Sequence, residues 1–270
     1  MGITRKFREF LKAVVVALAV IATPAVAQEV DLALSILVDS SGSISSSEFN
    51  LQTTGYVNAF NNSALWTAIS QGSVGKIAVN YVQWGTSPTT VLDWTLIDSE
   101  ADMNAFGSAI GAAGRVAGGN TALGDALAYG GGTFGNLAQY GITTDRWVMD
   151  VSGDGCNNWG SLTASQGRDV AVSMGVNVIN GLVIDPYGFT GCPYTSGGAP
   201  ETNLLAHYQN QVQYGPNSFV ATATDFNDFG NAIDDKLIRE ITQVPEPGTM
   251  LLLGTGLFGF FGVGYRRRKE

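Results

Sequence analysis

From Asp31 hydrophobic and polar positions alternate, and the chain then turns continuously apolar through Val38. That is the pattern of a strand buried on both faces. Helical spacing takes over across residues 48–60, with Phe49, Tyr56, Val57 and Phe60 near one face. Residues 76–84 and 90–97 are rich in β-branched and aromatic side chains and flank Gly85-Thr86-Ser87-Pro88, which predicts two strands joined as a hairpin. Helices are predicted over 99–113 and, after the glycine loop Gly118-Gly119-Asn120, over 122–140. A strand over 146–152, a helix over 162–174 and a strand over 176–184 follow. Beyond a loop running through Pro200 come a helix at 203–211, a short strand at 218–222 and a last helix at 225–241.

Strands alternating with helices predict an α/β fold, a mostly parallel sheet covered on both faces. Ligands of such folds sit past the carboxyl ends of the strands. Asp39 and Asp154 both fall at such ends. There is no internal repeat.

The two ends stand outside this pattern. Arg5, Lys6, Arg8 and Lys12 precede an apolar run over 13–22, and Ala25-Val26-Ala27 forms a small-residue cleavage site, so residues 1–27 read as a secretory signal peptide. A retained anchor fits less well, because the run is short and Pro24 interrupts it. At the other end Pro245-Glu246-Pro247 leads into an uncharged apolar run at 249–265 and then Arg266, Arg267, Arg268 and Lys269. The run is close to the lower length limit of a membrane-spanning helix, and the basic cluster would stay on the cytoplasmic side. This order resembles the PEP-CTERM sorting signal of bacterial exosortase substrates. The resemblance implies recognition of Pro245, Glu246 and Pro247 by an exosortase and a cell-envelope, surface or matrix location in a Gram-negative-type bacterium. The organisation is then a leader at 1–27, a domain at 28–243 and a sorting tail at 244–270.

Removing both ends changes the charge. Between Gln28 and Val244 only Lys76, Arg115, Arg146, Arg168, Lys236 and Arg239 are basic, against twenty acids, a net formal charge of −14. Such a surface repels nucleic acid and anionic lipid and favours cations. Cys156 and Cys192 both lie in the exported part, where disulfides persist, and are expected to pair. A zinc site is the weaker alternative, since no second Cys pair or nearby His accompanies them.

Three loops carry candidate chemistry. Asp39, Ser41 and Ser43 follow the first strand at alternate positions, Thr121 closes the glycine loop, and Asp154 sits in Ser152-Gly153-Asp154-Gly155. Two carboxylates and three hydroxyls are oxygen donors of the kind that hard cations take. Each also has an ordinary reading: Ser43 or Ser45 as the cap of the next helix, Thr121 as another cap, Asp154 as a turn residue. The set resembles the metal-ion-dependent adhesion site (MIDAS) of von Willebrand factor A (vWA) domains, whose pattern is Asp-x-Ser-x-Ser, then Thr, then Asp. The resemblance extends from Asp31 to Ile241. It implies a three-layer Rossmann-like fold with one antiparallel edge strand and a divalent cation, Mg²⁺ with Mn²⁺ and Ca²⁺ as alternatives. Asp39, Ser41, Ser43, Thr121 and Asp154 would hold it, and an acidic side chain of a protein or matrix partner would complete its shell. Asp150 departs from the pattern, because a carboxylate inside a buried strand needs a partner.

The expected protein is therefore a non-enzymatic, cation-dependent binding protein; a matrix scaffold with a purely structural cation is the alternative. A metal-dependent hydrolase is the rival enzyme class. His207 is the only histidine, and no Ser/His/Asp order or nucleophile elbow accompanies it. The glycine loop lacks the Lys of a phosphate-binding loop. Among the tryptophans Trp84 and Trp94 read as core, whereas Trp159, in the loop after Cys156, is the candidate sugar platform.

Overall fold

The computed structural model describes residues 27–185, 188, 192 and 201–243. The expected leader, apart from Ala27, the sorting motif and the apolar run at 249–265 lie outside the described residues, as does most of the segment between Pro186 and Pro200. Among the described residues no helix is long and apolar enough to cross a membrane.

Six strands form the central sheet in the order β4-β3-β2-β6-β7-β8. They are β2 (Leu32–Asp39), β3 (Ile77–Trp84), β4 (Thr89–Ile97), β6 (Trp147–Gly153), β7 (Val178–Ile184) and β8 (Val220–Ala223). All neighbours are parallel except β3 and β4, the predicted hairpin, so β4 is the single antiparallel edge strand. The short strands β1 (Gln28–Glu29) and β5 (Ile142–Thr143) pair separately. Every residue of β2 is buried. Leu32, Leu34, Ile36 and Val38 face one core, while Ala33 and Leu37 face the other, which is why apolar residues occupy both alternations of the strand, with Ser35 the one polar residue before Asp39.

The first core is closed by α1 (Ser46–Ala59), α2 (Ser63–Ser70), α3 (Glu100–Ala113) and α7 (Phe229–Thr242). The second lies under α4 (Leu123–Thr133), α5 (Ala164–Ser173) and α6 (Leu204–His207). Helix α2 was not expected; its eight residues, SALWTAIS, hold only two buried positions, Leu65 and Ile69, too few to print a helical period. The expected helix at 122–140 is α-helical only to Thr133 and continues as a 3₁₀ turn over Phe134–Tyr140 that stops at left-handed Gly141. The expected helix at 203–211 is one α turn followed by a π turn over Tyr208–Val212.

Asp150 is fully buried, and its partner comes from α7: Lys236 Nζ lies 2.6 Å from Asp150 Oδ1 and donates to Glu240 Oε1 at 2.5 Å. The Asp150 contact is an ion pair in which neither carboxylate oxygen is aligned for a hydrogen bond. Asn180 of β7 adds a hydrogen bond to Glu240 Oε1 at 3.0 Å. Two carboxylates thus share one lysine in the interior, and burial is the largest cause raising the pKa of both, Glu240 to about 7.

Cys156 and Cys192 form a disulfide with their Cα atoms 5.5 Å apart, so the zinc alternative for them falls. Cys192 N–H donates to Glu201 O at 3.0 Å, so the bond ties the Asp154 loop to the strand-like start of the α6 segment. The double variant Cys156→Ala/Cys192→Ala is expected to lose about 2–4 kcal/mol of stability in urea denaturation, since the bond closes a loop with a sequence separation of 36.

Candidate metal centre

Parallel register brings the loops together. Val38 of β2 pairs with Ser152 of β6, so Asp39 and the Gly153-Asp154 turn leave the sheet side by side. The helix after the first loop is capped by Ser45, whose hydroxyl accepts from Glu48 N–H while Glu48 returns a bond to Ser45 N–H. That capping box leaves Ser43 free, and its hydroxyl donates to Asp154 Oδ1 at 2.7 Å. Ser41 Oγ lies 3.1 Å from Ser43 Oγ, and Thr121 Oγ1 reaches Ser41 Oγ at 3.4 Å. Thr121 does not cap α4, whose N-cap makes no side-chain bond. Ser41 N–H donates to Asp39 Oδ1 at 2.7 Å. All five expected residues therefore belong to one hydrogen-bonded chain drawn from three loops. Four of them are buried, and Ser43 is exposed, so the cluster opens to solvent on its side.

The donor set fits a hard divalent cation on one observation above the rest: Asp39 Oδ2 is buried and has no hydrogen-bond partner. Burial, and then the neighbouring Asp154 charge, raise the Asp39 carboxyl to about 7. Burial likewise raises Asp154, against the Ser43 hydrogen bond. Two carboxylates held together without a counter-charge in contact are costly, and a bound cation reverses both effects. Among the described residues no three His, Cys, Asp or Glu side chains converge, so any cation here would depend on the hydroxyls as well.

Several supporting residues escaped the sequence reading. Arg115 donates through Nε to Ser40 O at 3.0 Å and through Nη1 to Ile44 O at 2.8 Å, clamping the first loop from the glycine-loop side. Being one of only six bases in the domain was the signal that could have found it. Gln52 Nε2 holds Asp39 O at 2.9 Å. Asn158 accepts from Thr121 N–H at 2.9 Å and donates to its hydroxyl at 3.4 Å, and Asn157 accepts from Gly124 N–H at 3.0 Å. The glycine loop is spent on internal contacts: Gly119 O accepts from Gly42 N–H and Gly118 O from Thr86 N–H. A Cβ on Gly85 would sit 2.4 Å from Gly118 O, so only glycine permits that approach.

His207, which the sequence left remote, is buried beside the Asp154 loop, with Nε2 accepting from Asn157 N–H at 3.5 Å. Burial lowers its pKa to about 4, so it is neutral. The next residue, Tyr208, has a buried hydroxyl with no partner. A Cβ on Gly153 would lie 2.5 Å from that hydroxyl and 3.0 Å from Asp39 Oδ2, so both oxygens face the same notch below the turn. Trp84 and Trp94 are core, as expected, and Trp159 is 54% exposed next to Asn158.

Comparison with known proteins agrees with this architecture. Residues 29–245 match the model of the family described as Protein of unknown function (DUF1194), and residues 243–269 match the PEP-CTERM protein-sorting motif. No curated protein matches. Among solved structures, the PilB minor pilin of Streptococcus sanguinis superposes with a TM-score of 0.55 at 12% identity, covering 81% of this chain and 63% of that one. The pilus adhesin SpaC of Lactobacillus rhamnosus GG gives 0.52 at 12%, over 78% and 30%. Proximal thread matrix protein 1 of the mussel byssus gives 0.50 at 17%, over 80% and 47%. The chain thus spans about half of the last protein and less than two thirds of the others. At these identities the likeness is one of fold, and that fold is vWA-like. With its domain matched from end to end, the chain belongs to the DUF1194 family and carries a PEP-CTERM sorting motif behind a vWA-like α/β domain.

Proposed function

We propose that this is an exported, surface- or matrix-associated protein that binds a partner through a divalent cation held in a MIDAS by Asp39, Ser41, Ser43, Thr121 and Asp154. The observation that carries the reading is the unpartnered, buried Asp39 Oδ2 beside the Ser41-Ser43-Asp154 chain. A hydroxyl-rich donor set with two carboxylates suits Mg²⁺ or Mn²⁺ and leaves the ion enough residual charge to attract an acidic group of a protein or matrix partner. Ser43 opens the cluster to solvent, and exposed Trp159 offers contact area beside it. The reading assigns no enzymatic activity: His207 is neutral and buried, and its role is to accept a backbone hydrogen bond from Asn157. Exosortase is the processing partner that the PEP-CTERM motif implies.

The test is calorimetric titration with Mg²⁺ and Mn²⁺, followed by a pull-down from matrix extract in Mg²⁺ and in EDTA. Wild type is expected to bind the ion and retain a partner only in Mg²⁺, and the Ser41→Ala/Ser43→Ala variant to lose both. Partner retention that survives EDTA, with the fold intact by circular dichroism, rules out the cation mechanism.

A further inference from the structure

A second pocket lies on the flank of the domain and shares no residue with the metal centre. It has a volume of about 260 Å³ and is lined by Asn80, Thr90, Asp93, Trp94, Tyr129 and Tyr140 among others. It sits where the edge strand β4 meets α4 and the 3₁₀ turn.

The edge strand is irregular at this place. Val79 pairs with Thr95, Tyr81 with Leu92 and Val82 with Thr90, so β4 spends three residues against two of β3 and then two against one. Such bulges re-aim side chains. Successive residues of a regular strand point to opposite faces, yet Asp93 and Trp94 line the same cavity. Blunting an edge against aggregation needs only a charge or a bulge. Here the distortion also brings a carboxylate and an indole to one concave surface.

Three features of the lining say what it would take. Tyr129 and Tyr140 are 39% and 43% exposed, so two phenol rings stand open at its walls. Trp94 is fixed by its Nε1–H donating to Thr133 O at 2.9 Å, and Tyr129 Oη by Thr90 Oγ1 at 2.9 Å, so the walls are preorganised. Asn80 is 1% exposed, lines the cavity and has its Oδ1 buried without a partner, an acceptor that native interiors rarely leave unused. Open aromatic faces alternating with amide, hydroxyl and carboxylate groups match a pyranose ring, which has an apolar C–H face and a rim of hydroxyls. Asp93 on the rim and the net negative domain disfavour an acidic sugar. The volume, just under the usual range for small-molecule pockets, suits one ring.

We propose that this pocket binds one neutral hexose unit of a glycan, with Tyr129 and Tyr140 against its apolar face, Asp93 accepting from its hydroxyls and Asn80 Oδ1 from one hydroxyl at the pocket floor. The site is independent of the metal centre, so its test is run in EDTA. The protein is titrated with glucose, galactose, mannose, N-acetylglucosamine, glucuronate and choline chloride and followed by the NMR signals of the Trp94 indole and the two tyrosines. At least one neutral sugar is expected to shift these signals saturably, and Tyr140→Ala and Asp93→Asn each to weaken that sugar by roughly tenfold or more. Both positions are on the surface, and unchanged spectra elsewhere confirm folding; Tyr129→Ala is the second aromatic variant. Absence of a saturable shift with every neutral sugar, equal or tighter binding of glucuronate or choline, or shifts that survive both substitutions overturns the proposal. Failure to bind Mg²⁺ would leave this result untouched, and the converse also holds.

Discussion

Replacing Lys236 by Met is expected to remove about 3–5 kcal/mol of stability at pH 7, read as a drop in the urea midpoint, because Asp150 and Glu240 would then face each other in the interior with no counter-ion. The loss should shrink as the pH is lowered to about 5, where protonation can neutralise both carboxyls. Wild type should show a weaker dependence of the same sign. Glu240 titrates near 7 in the native state against the ordinary 4.5, and Asp150 is raised as well. Between those values the native protein keeps a proton that the unfolded chain has released. Stability therefore falls as pH rises through this window, by up to about 1.4 kcal/mol per unit. The groups facing the pair are Asn180 from β7, the Phe219 ring near Lys236 Nζ, Arg146, which donates to Glu240 O at 2.9 Å, and the buried Tyr56 phenol of α1, whose ionisation both carboxylates oppose. Glu240→Gln, which keeps the shape and discards the charge, should flatten that part of the slope and leave the variant more stable than wild type at pH 8. A parallel pH profile for the two proteins would show that Glu240 is ionised in the native state throughout.

The second large effect concerns Asp39. Asp39→Asn is expected to raise the melting temperature in EDTA and to abolish the rise that the proposed cation site predicts for wild type on adding Mn²⁺. Both signs follow from one fact, that the buried Asp39 carboxylate has an oxygen with no partner. Without a cation that charge is destabilising, and the amide lessens the penalty while its oxygen still accepts from Ser41 N–H. With a cation the same charge is what binds. Ion at a hundred times its dissociation constant stabilises by about 2.7 kcal/mol, and the variant should forgo nearly all of it. A variant that melts lower than wild type in EDTA would mean that the carboxylate is held by the protein alone.

How far the chain could be read from its letters differs from place to place. The parallel sheet was legible because β2, β6 and β7 are almost wholly buried and so are mostly apolar, broken only by residues such as Ser35, Asp150 and Asn180, and the hairpin because Gly85 to Pro88 separates two β-branched stretches. The candidate ligand set was legible because oxygen donors stand just past the strand ends, where open α/β sheets place their sites. The short strand β8 was legible as well, but two other short elements were not. Helix α2 has two buried positions, and the π turn begins without any break in composition.

The roles of individual side chains were decided by packing. Ser43 and Ser45 look equivalent in sequence; the start of α1 gave the cap to Ser45 and left Ser43 to Asp154. Asp150 needed a partner, and only the seating of α7 over β7 and β8 brought Lys236, 86 positions away, within reach of β6. His207 and Tyr208 came to the underside of the site because the π turn after α6 packs on β7, with Tyr208 against Gly153 and Gly181, a contact that spacing along the chain does not encode. The flank pocket depends on two bulges whose register is set by which β4 residues find partners on β3. The sequence by itself determined the layers of the fold, the charge of the domain and the residue types at the strand ends, because these follow from periodicity and composition. Only the tertiary structure decided which of those residues meet, because side-chain contacts between distant segments depend on register and helix seating.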